Sequence, residues 1–277
     1  MRLYPWKLGL STADWSPATA PILLNGTVPE NLRAAARLGY EAIEVHTRED
    51  VPHDTDEIIR ASEECGARVA MVISGRLNTE GQCSLSSEIP YVLAAAEAGM
   101  RSYIDLAARL DAGVVVGWTR GRTPDARTAR GALARMGAAM RRLNAYARDR
   151  GVRMHIETLN RYETNLLKTV EDICAFIDEY DLTECRVHAD VFHMNIEEPD
   201  LLAALRLAGK RLGYVHLADN QRGPCGSGSL DFGAILGTLD DIGYRGVLTV
   251  ECLPVPDAKR AAEQSRDVLR GIINEKR

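Results

Sequence analysis

No CxxC pair occurs in this chain: its six cysteines stand at positions 65, 83, 174, 185, 225 and 252. That spacing suggests neither a zinc knuckle nor a redox dithiol. A disulfide scaffold is not expected in 277 residues with such spacing, and the cysteines read as reduced thiols of a cytoplasmic protein. No run of 18 apolar residues exists, so no segment is expected to span a membrane. The opening MRLYPWKLGL lacks the apolar core and small-residue cleavage site of a secretory signal. An excess of positive charge is also missing. There are 34 Lys and Arg against 39 Asp and Glu, a net charge of -5. This balance gives no electrostatic reason to expect a nucleic acid or an anionic membrane as partner. Finally, no GxGxxG or GxxxxGK[ST] loop follows an early strand-like run, which weighs against a doubly wound nucleotide-binding sheet.

What is present is an alternation. The composition is ordinary for a globular chain, 45% hydrophobic and 26% charged. Eight short apolar runs read as strands: Lys7–Ser11, Glu41–His46, Val69–Ser74, Ala112–Trp118, Arg153–Leu159, Cys185–Asp190, Gly213–Ala218 and Val247–Cys252. Amphipathic stretches lie between them. Ala129–Arg150 carries Leu133, Met136, Met140, Leu143 and Ala147 at helical spacing and stops at Gly151. Leu167–Glu179 shows one apolar face of Val170, Ile173, Cys174 and Ile177. Ala258–Ile273 reads as a closing helix. Strands alternating with helices imply a parallel sheet, and eight repeats at this length imply a single-domain α/β (β/α)₈ barrel over residues 1–277. No linker, low-complexity segment or charge block divides the chain.

In such a barrel the chemistry sits at the C-terminal ends of the strands. The last four runs end Met154-His155-Ile156-Glu157, Val187-His188-Ala189-Asp190, Tyr214-Val215-His216 and Leu248-Thr249-Val250-Glu251. The intervals between Glu157, Asp190, His216 and Glu251 are 33, 26 and 35 residues, each about one strand–helix repeat. Three carboxylates and one imidazole on one rim suit a divalent ion such as Mn²⁺, Mg²⁺ or Co²⁺ better than a structural zinc.

Four segments together carry a resemblance: Glu157–Glu163, Asp190–Glu198, His216–Phe232 and Glu251–Pro256. They resemble the xylose-isomerase-like TIM barrels, and among these the ketose 3-epimerases of the tagatose/psicose type and 5-keto-L-gluconate epimerase. The match runs from about residue 150 to residue 256. The resemblance implies one divalent metal, Mn²⁺ first with Co²⁺, Mg²⁺ or Zn²⁺ as alternatives, held by Glu157, Asp190, His216 and Glu251. It implies that Glu157 and Glu251 double as the acid–base pair, and that Glu163, His193 and Arg222 bind the sugar. Two positions depart from the pattern: Pro224 lies two residues after Arg222 instead of three, and Val191 replaces a threonine. Both bear on substrate preference more than on metal binding.

The implied reaction is epimerisation of a ketose or keto-sugar acid beside its ketone. A metal polarises the carbonyl and stabilises an enediolate, and two carboxylates move the proton. Aldose–ketose or hydroxypyruvate-type isomerisation is the alternative on the same barrel. A three-zinc DNA-repair endonuclease is a remote one, because the required histidines are missing from Ile73-Ser74-Gly75 and Val116-Gly117-Trp118, and a DxH from Asp231-Phe232-Gly233. A non-catalytic sugar-binding protein would be expected to lack one of the two glutamates. Relatives suggest a homodimer or tetramer.

Weaker signals remain. His155 and His188, two residues before Glu157 and Asp190, point the same way one layer deeper; they either support the ligands or are plain core residues. Arg120, with Arg122 beside it, is placed as a substrate contact able to grip a carboxylate or phosphate, against the commoner outcome of a solvated loop arginine. Asp14 and Trp15 are placed at the pocket wall, Glu44 and His46 at the rim, Cys225 in an exposed loop, and His53 on the surface. Cys252 is expected in the layer between strands and helices.

Overall fold

A computed structural model describes residues 3–48, 51–124 and 128–275. The strands are β1 Leu8–Ala13, β2 Leu24–Asn25, β3 Ala42–His46, β4 Arg68–Ile73, β5 Gly113–Val116, β6 Met154–Glu157, β7 Cys185–Asp190, β8 Leu212–Leu217 and β9 Leu248–Val250. The helices are α1 Val28–Arg37, α2 Thr55–Cys65, α3 Arg76–Thr79, α4 Pro90–Arg109, α5 Ala129–Arg148, α6 Val170–Glu179, α7 Val191–Glu197, α8 Leu201–Ala208, α9 Phe232–Asp241 and α10 Ala258–Glu275.

Eight strands close into a parallel barrel in the order β1-β3-β4-β5-β6-β7-β8-β9, with β9 returning to β1 through Leu8 and Leu248. Short β2 adds to the outer edge of β1. Closure settles the choice between barrel and open sheet. All eight expected runs supply a barrel strand. The last is shorter than its apolar pattern: β9 stops at Val250, so Glu251 stands just past the strand.

Local chemistry explains the helix ends. Helix α6 begins at Val170, not Leu167, because Leu167 has a left-handed φ of 50° and Thr169 forms a capping box with Asp172. Helix α5 ends two residues before its expected limit, ahead of the chain reversal at Gly151, φ 68°.

Apolar packing occupies two layers. The large one fills the space between strands and helices. A smaller one plugs the barrel and includes Met71, Ile73, Val115 and Tyr214. Inward positions alternate along each strand. They therefore stack polar residues above this plug at the C-terminal rim.

Candidate active site

Glu157, Asp190, His216 and Glu251 converge. One ligand-type atom from each lies within 4.8 Å of all the others, and all four residues are buried. His216 is the hub: its Nδ1 is 3.5 Å from Glu157 Oε1, 3.3 Å from Asp190 Oδ2 and 3.2 Å from Glu251 Oε2. Its other nitrogen, Nε2, lies 2.6 Å from Glu44 Oε2, which reaches across the barrel from β3. Glu44 thereby fixes the ring so that Nδ1 faces the three carboxylates. Asp190 is also doubly employed. Its Oδ1 accepts from the backbone N–H of Phe192 and His193 and so starts α7, while Oδ2 faces His216.

This donor set fits a divalent cation. His216 Nδ1 is buried without a hydrogen-bond partner while three carboxylates surround it. An unsatisfied buried nitrogen in that setting calls for an electrophile. Charge in the cluster is uneven. Burial pushes the Glu157 carboxyl up to about 7, against the opposing pull of His216. Burial also acts on Glu251, but Arg222 and His216 outweigh it and hold Glu251 well below the usual range. For His216 burial lowers the pKa, yet Glu44 and Glu251 raise it well above normal.

The residues expected to bind substrate gather on one side. Arg222 donates to both carboxylate oxygens of Asp190, at 2.6 and 2.8 Å, and to Glu251. Its guanidinium also lies 4.8 Å from the centre of the Phe192 ring. Arg222 adopts a left-handed φ of 62°, uncommon for a residue other than glycine, and its carbonyl accepts from Leu253 N–H at 2.7 Å. His193 and Glu163 share Asn160, whose amide nitrogen is 2.7 Å from His193 Nδ1 and 3.3 Å from Glu163 Oε1. Trp118 Nε1 donates to the other Glu163 oxygen at 2.8 Å. Above these residues opens a cavity of about 540 Å³, whose wall includes Trp15, His46, Arg76, Trp118, Phe192 and the polar residues just named, Asp190 and Asn160 excepted.

Other expectations are corrected. Arg120 is not brought to this cavity. It is fully buried, and its guanidinium donates to the carbonyls of Gly117, Leu166, Leu167, Val116 and Glu157. It pins the loop after β6 and is neither solvated nor free for substrate. Cys225 is buried as well, its N–H held by Ser265, so the loop position does not expose it. His53 is half-buried and pairs with Thr47. His188 touches His216, ring centroids 4.0 Å apart, whereas His155 lies lower, 6.1 Å from the Tyr214 ring. Trp15 lines the cavity as expected, whereas Asp14 does not line it. Asp14 is tied to Arg76, which itself lines the cavity.

Glu44-Val45-His46 repeats the polar-apolar-polar ending of the later strands and stands at the rim as expected, but the contacts these residues make, and the role of Asp219, come only from the tertiary structure. His46 Nε2 lies 3.4 Å from Glu251 Oε1 and 3.1 Å from Ser11 Oγ. Asp219, buried, accepts the N–H groups of Asn220, Gly226, Gly228 and Leu230 and so shapes the glycine-rich loop after β8.

Fold and site together define a class: a barrel enzyme with an acidic, metal-suited centre at the floor of a cavity. The chain belongs to the xylose isomerase-like TIM barrel family, whose profile matches residues 32–272. It is an enzyme of the isomerase class and falls among keto-sugar epimerases. It is 32% identical over 243 residues to an L-ribulose 3-epimerase of Methylomonas sp. (strain DH-1), which covers 87% of this chain and 80% of that one. The structure of an L-ribulose 3-epimerase superposes with a TM-score of 0.85 at 25% identity, covering 98% and 95% of the two chains. A D-allulose 3-epimerase from Methylomonas sp., solved in complex with D-allulose, gives 0.79 at 26% identity, covering 98% and 99%.

Proposed function

We propose that the protein epimerises a neutral ketose at carbon 3, with one divalent cation, Mn²⁺, held by Glu157, Asp190, His216 and Glu251. The observation that carries this reading is the buried, unpartnered His216 Nδ1 ringed by three carboxylates at the floor of the cavity. A cation at that point supplies Lewis-acid polarisation of the ketone oxygen. Glu157 and Glu251 do the proton work: one takes the carbon 3 proton, and the other delivers a proton to the opposite face. The net change is inversion, with no oxidant or co-substrate consumed. Glu163, His193 and Arg222 orient the sugar oxygens, which keeps the reacting carbon near the carboxylates. Trp118 and Phe192 wall the cavity against water.

The choice of a neutral sugar rests on charge. The arginines in the cavity wall are Arg76 and Arg222, and each is already paired with carboxylates, Arg76 with Asp14 and Glu80, Arg222 with Asp190 and Glu251. Arg120 is committed elsewhere. A substrate carboxylate or phosphate would meet an acidic centre whose arginines are already paired, which is costly on burial. Agreement with ketose 3-epimerase relatives supports the same choice. A homodimer or tetramer remains part of the proposal and is read by light scattering.

The test is proton exchange. Mn²⁺-loaded protein in D₂O with neutral ketohexoses and ketopentoses is expected to place deuterium at carbon 3 with inversion, followed by NMR. Deuterium accompanied by aldose formation assigns an isomerase instead. Absence of exchange on every neutral ketose, with turnover of a keto-acid, would overturn the neutral-substrate reading.

A further inference from the structure

Beneath the four-residue centre lies a histidine that the epimerisation does not use. His188 stands on β7 two residues before Asp190, and strand alternation turns it inward one layer deeper. It is fully buried, and neither of its ring nitrogens has a hydrogen-bond partner. Its ring meets that of His216 edge-on, with centroids 4.0 Å apart and planes at 88°. One nitrogen of His188, one of His216 and a carboxylate oxygen of Glu157 lie within 4.8 Å of one another. The available nitrogen of His216 is Nδ1, because Nε2 is held by Glu44.

A buried imidazole with both nitrogens unsatisfied is uncommon, because each such group loses its hydrogen bonds to water. Here a nitrogen of each ring and a carboxylate oxygen of Glu157 lie close together. We infer that the barrel can hold a divalent cation in a second way, in a nitrogen-rich set of Glu157, His188 and His216 that takes Zn²⁺ below the catalytic position. Two imidazoles and one carboxylate are a ligand set typical of zinc, whereas three carboxylates and one imidazole suit harder ions. The two sets share Glu157 and His216, so only one is filled at a time. An ion in this set leaves Asp190 and Glu251 in their pairs with Arg222 and takes one ligand, His188, from outside the cavity wall. The deeper set is therefore a metal-selectivity device: Zn²⁺ competes with Mn²⁺ and holds the protein idle.

This inference rests on reading the four-residue centre as a metal site, and the experiment separates the two. Zn²⁺-loaded protein is examined by X-ray absorption at the zinc edge. Two imidazole ligands at about 2.0–2.1 Å are expected. In His188→Phe one imidazole is expected, with Zn²⁺ affinity by calorimetry at least tenfold weaker and Mn²⁺ affinity within twofold of the parent. Asp190→Asn is expected to do the reverse, weakening Mn²⁺ far more than Zn²⁺. A single imidazole in the unaltered protein overturns the proposal, as does an equal loss of both metals in His188→Phe. Should that variant fail to fold, His188→Gln and the unaltered protein's spectrum still decide. Failure of Mn²⁺ to bind the unaltered protein would sink the four-residue reading, while two imidazoles on zinc would leave the deeper set standing.

Discussion

Glu44 illustrates how a single residue governs the centre without touching a substrate. Its carboxylate holds His216 Nε2 at 2.6 Å and also accepts from Tyr214 at 3.2 Å. Glu44→Gln removes that charge and replaces one acceptor oxygen by a donor. Supporting partners of this kind typically matter 10–100-fold for metal affinity. We expect a loss of about that size in Mn²⁺ affinity, measured by titration followed by electron paramagnetic resonance, with the fold intact. The proposed proton carriers should behave differently. Glu157→Gln and Glu251→Gln each remove a general acid or base, worth about 10²–10⁴-fold in rate. Turnover should therefore fall much further than Mn²⁺ affinity does. Equal losses in the two measurements would argue that these glutamates are ligands only.

Among the elements, the segment between β6 and α6 carries Asn160 and Glu163, and it is anchored from outside the site. Glu197 at the end of α7 accepts from Arg161 N–H at 2.6 Å, from Arg161 Nε at 2.7 Å and from Lys168 Nζ at 3.1 Å. Burial would raise its pKa, but the Arg161 and Lys168 bonds outweigh it and hold Glu197 below its ordinary value. A carboxylate depressed in this way stabilises the segment above its unfolded pKa, and the contribution is lost as pH falls through the folded one. Protection of the backbone amides of residues 158–168 against hydrogen exchange should therefore fall selectively as pH drops below the ordinary value of 4.5. Glu197→Gln should show the lowered protection already at neutral pH. Arg120 anchors the same segment from the turn after β5. Burial lowers its pKa to about 10, which leaves it charged at neutral pH, and it satisfies five carbonyls. Arg120→Ala should cost roughly 3 kcal/mol in denaturant unfolding, since it leaves buried acceptors bare. A variant that kept full stability but changed its preference between neutral and acidic sugars would restore Arg120 as a substrate contact.

Over the whole molecule, the barrel works as a shaft whose filling changes from apolar and ring-packed at the bottom to ionic at the top. His155 occupies the lower shaft, and two glycines make room for it: a Cβ on Gly213 would stand 2.6 Å from His155 Cε1, and one on Gly113 2.9 Å from its Nε2. The Gly213 Cβ would also meet Arg186 Cβ at 2.6 Å, so movement of the ring alone cannot relieve the clash. Gly213→Ala should destabilise the protein by about 1–3 kcal/mol, as overpacking of a filled interior does. Thermal unfolding measures it. The centre lies three strands along from β3 to β8 through the closed seam of β1 and β9, so opening that seam would part Glu44 from His216.

Strand–helix alternation, the eight barrel strands and the four converging rim residues were readable from the chain alone, because each is a short-range pattern. Apolar runs report burial, and a polar residue closing several of them in turn reports a shared rim. The resemblance around Asn160, His193 and Arg222 added the polar wall of the cavity. Tertiary structure alone decided the rest. Arg120 and Glu44 are both charged residues near strand ends, and nothing local distinguishes the one that grips backbone carbonyls from the one that steadies a ligand across the shaft. His188 and His155 share one position in the strand pattern, yet only His188 reaches His216. Which strands face each other across a closed barrel is set by its closure, and that is a property of all the repeats together and not of any one.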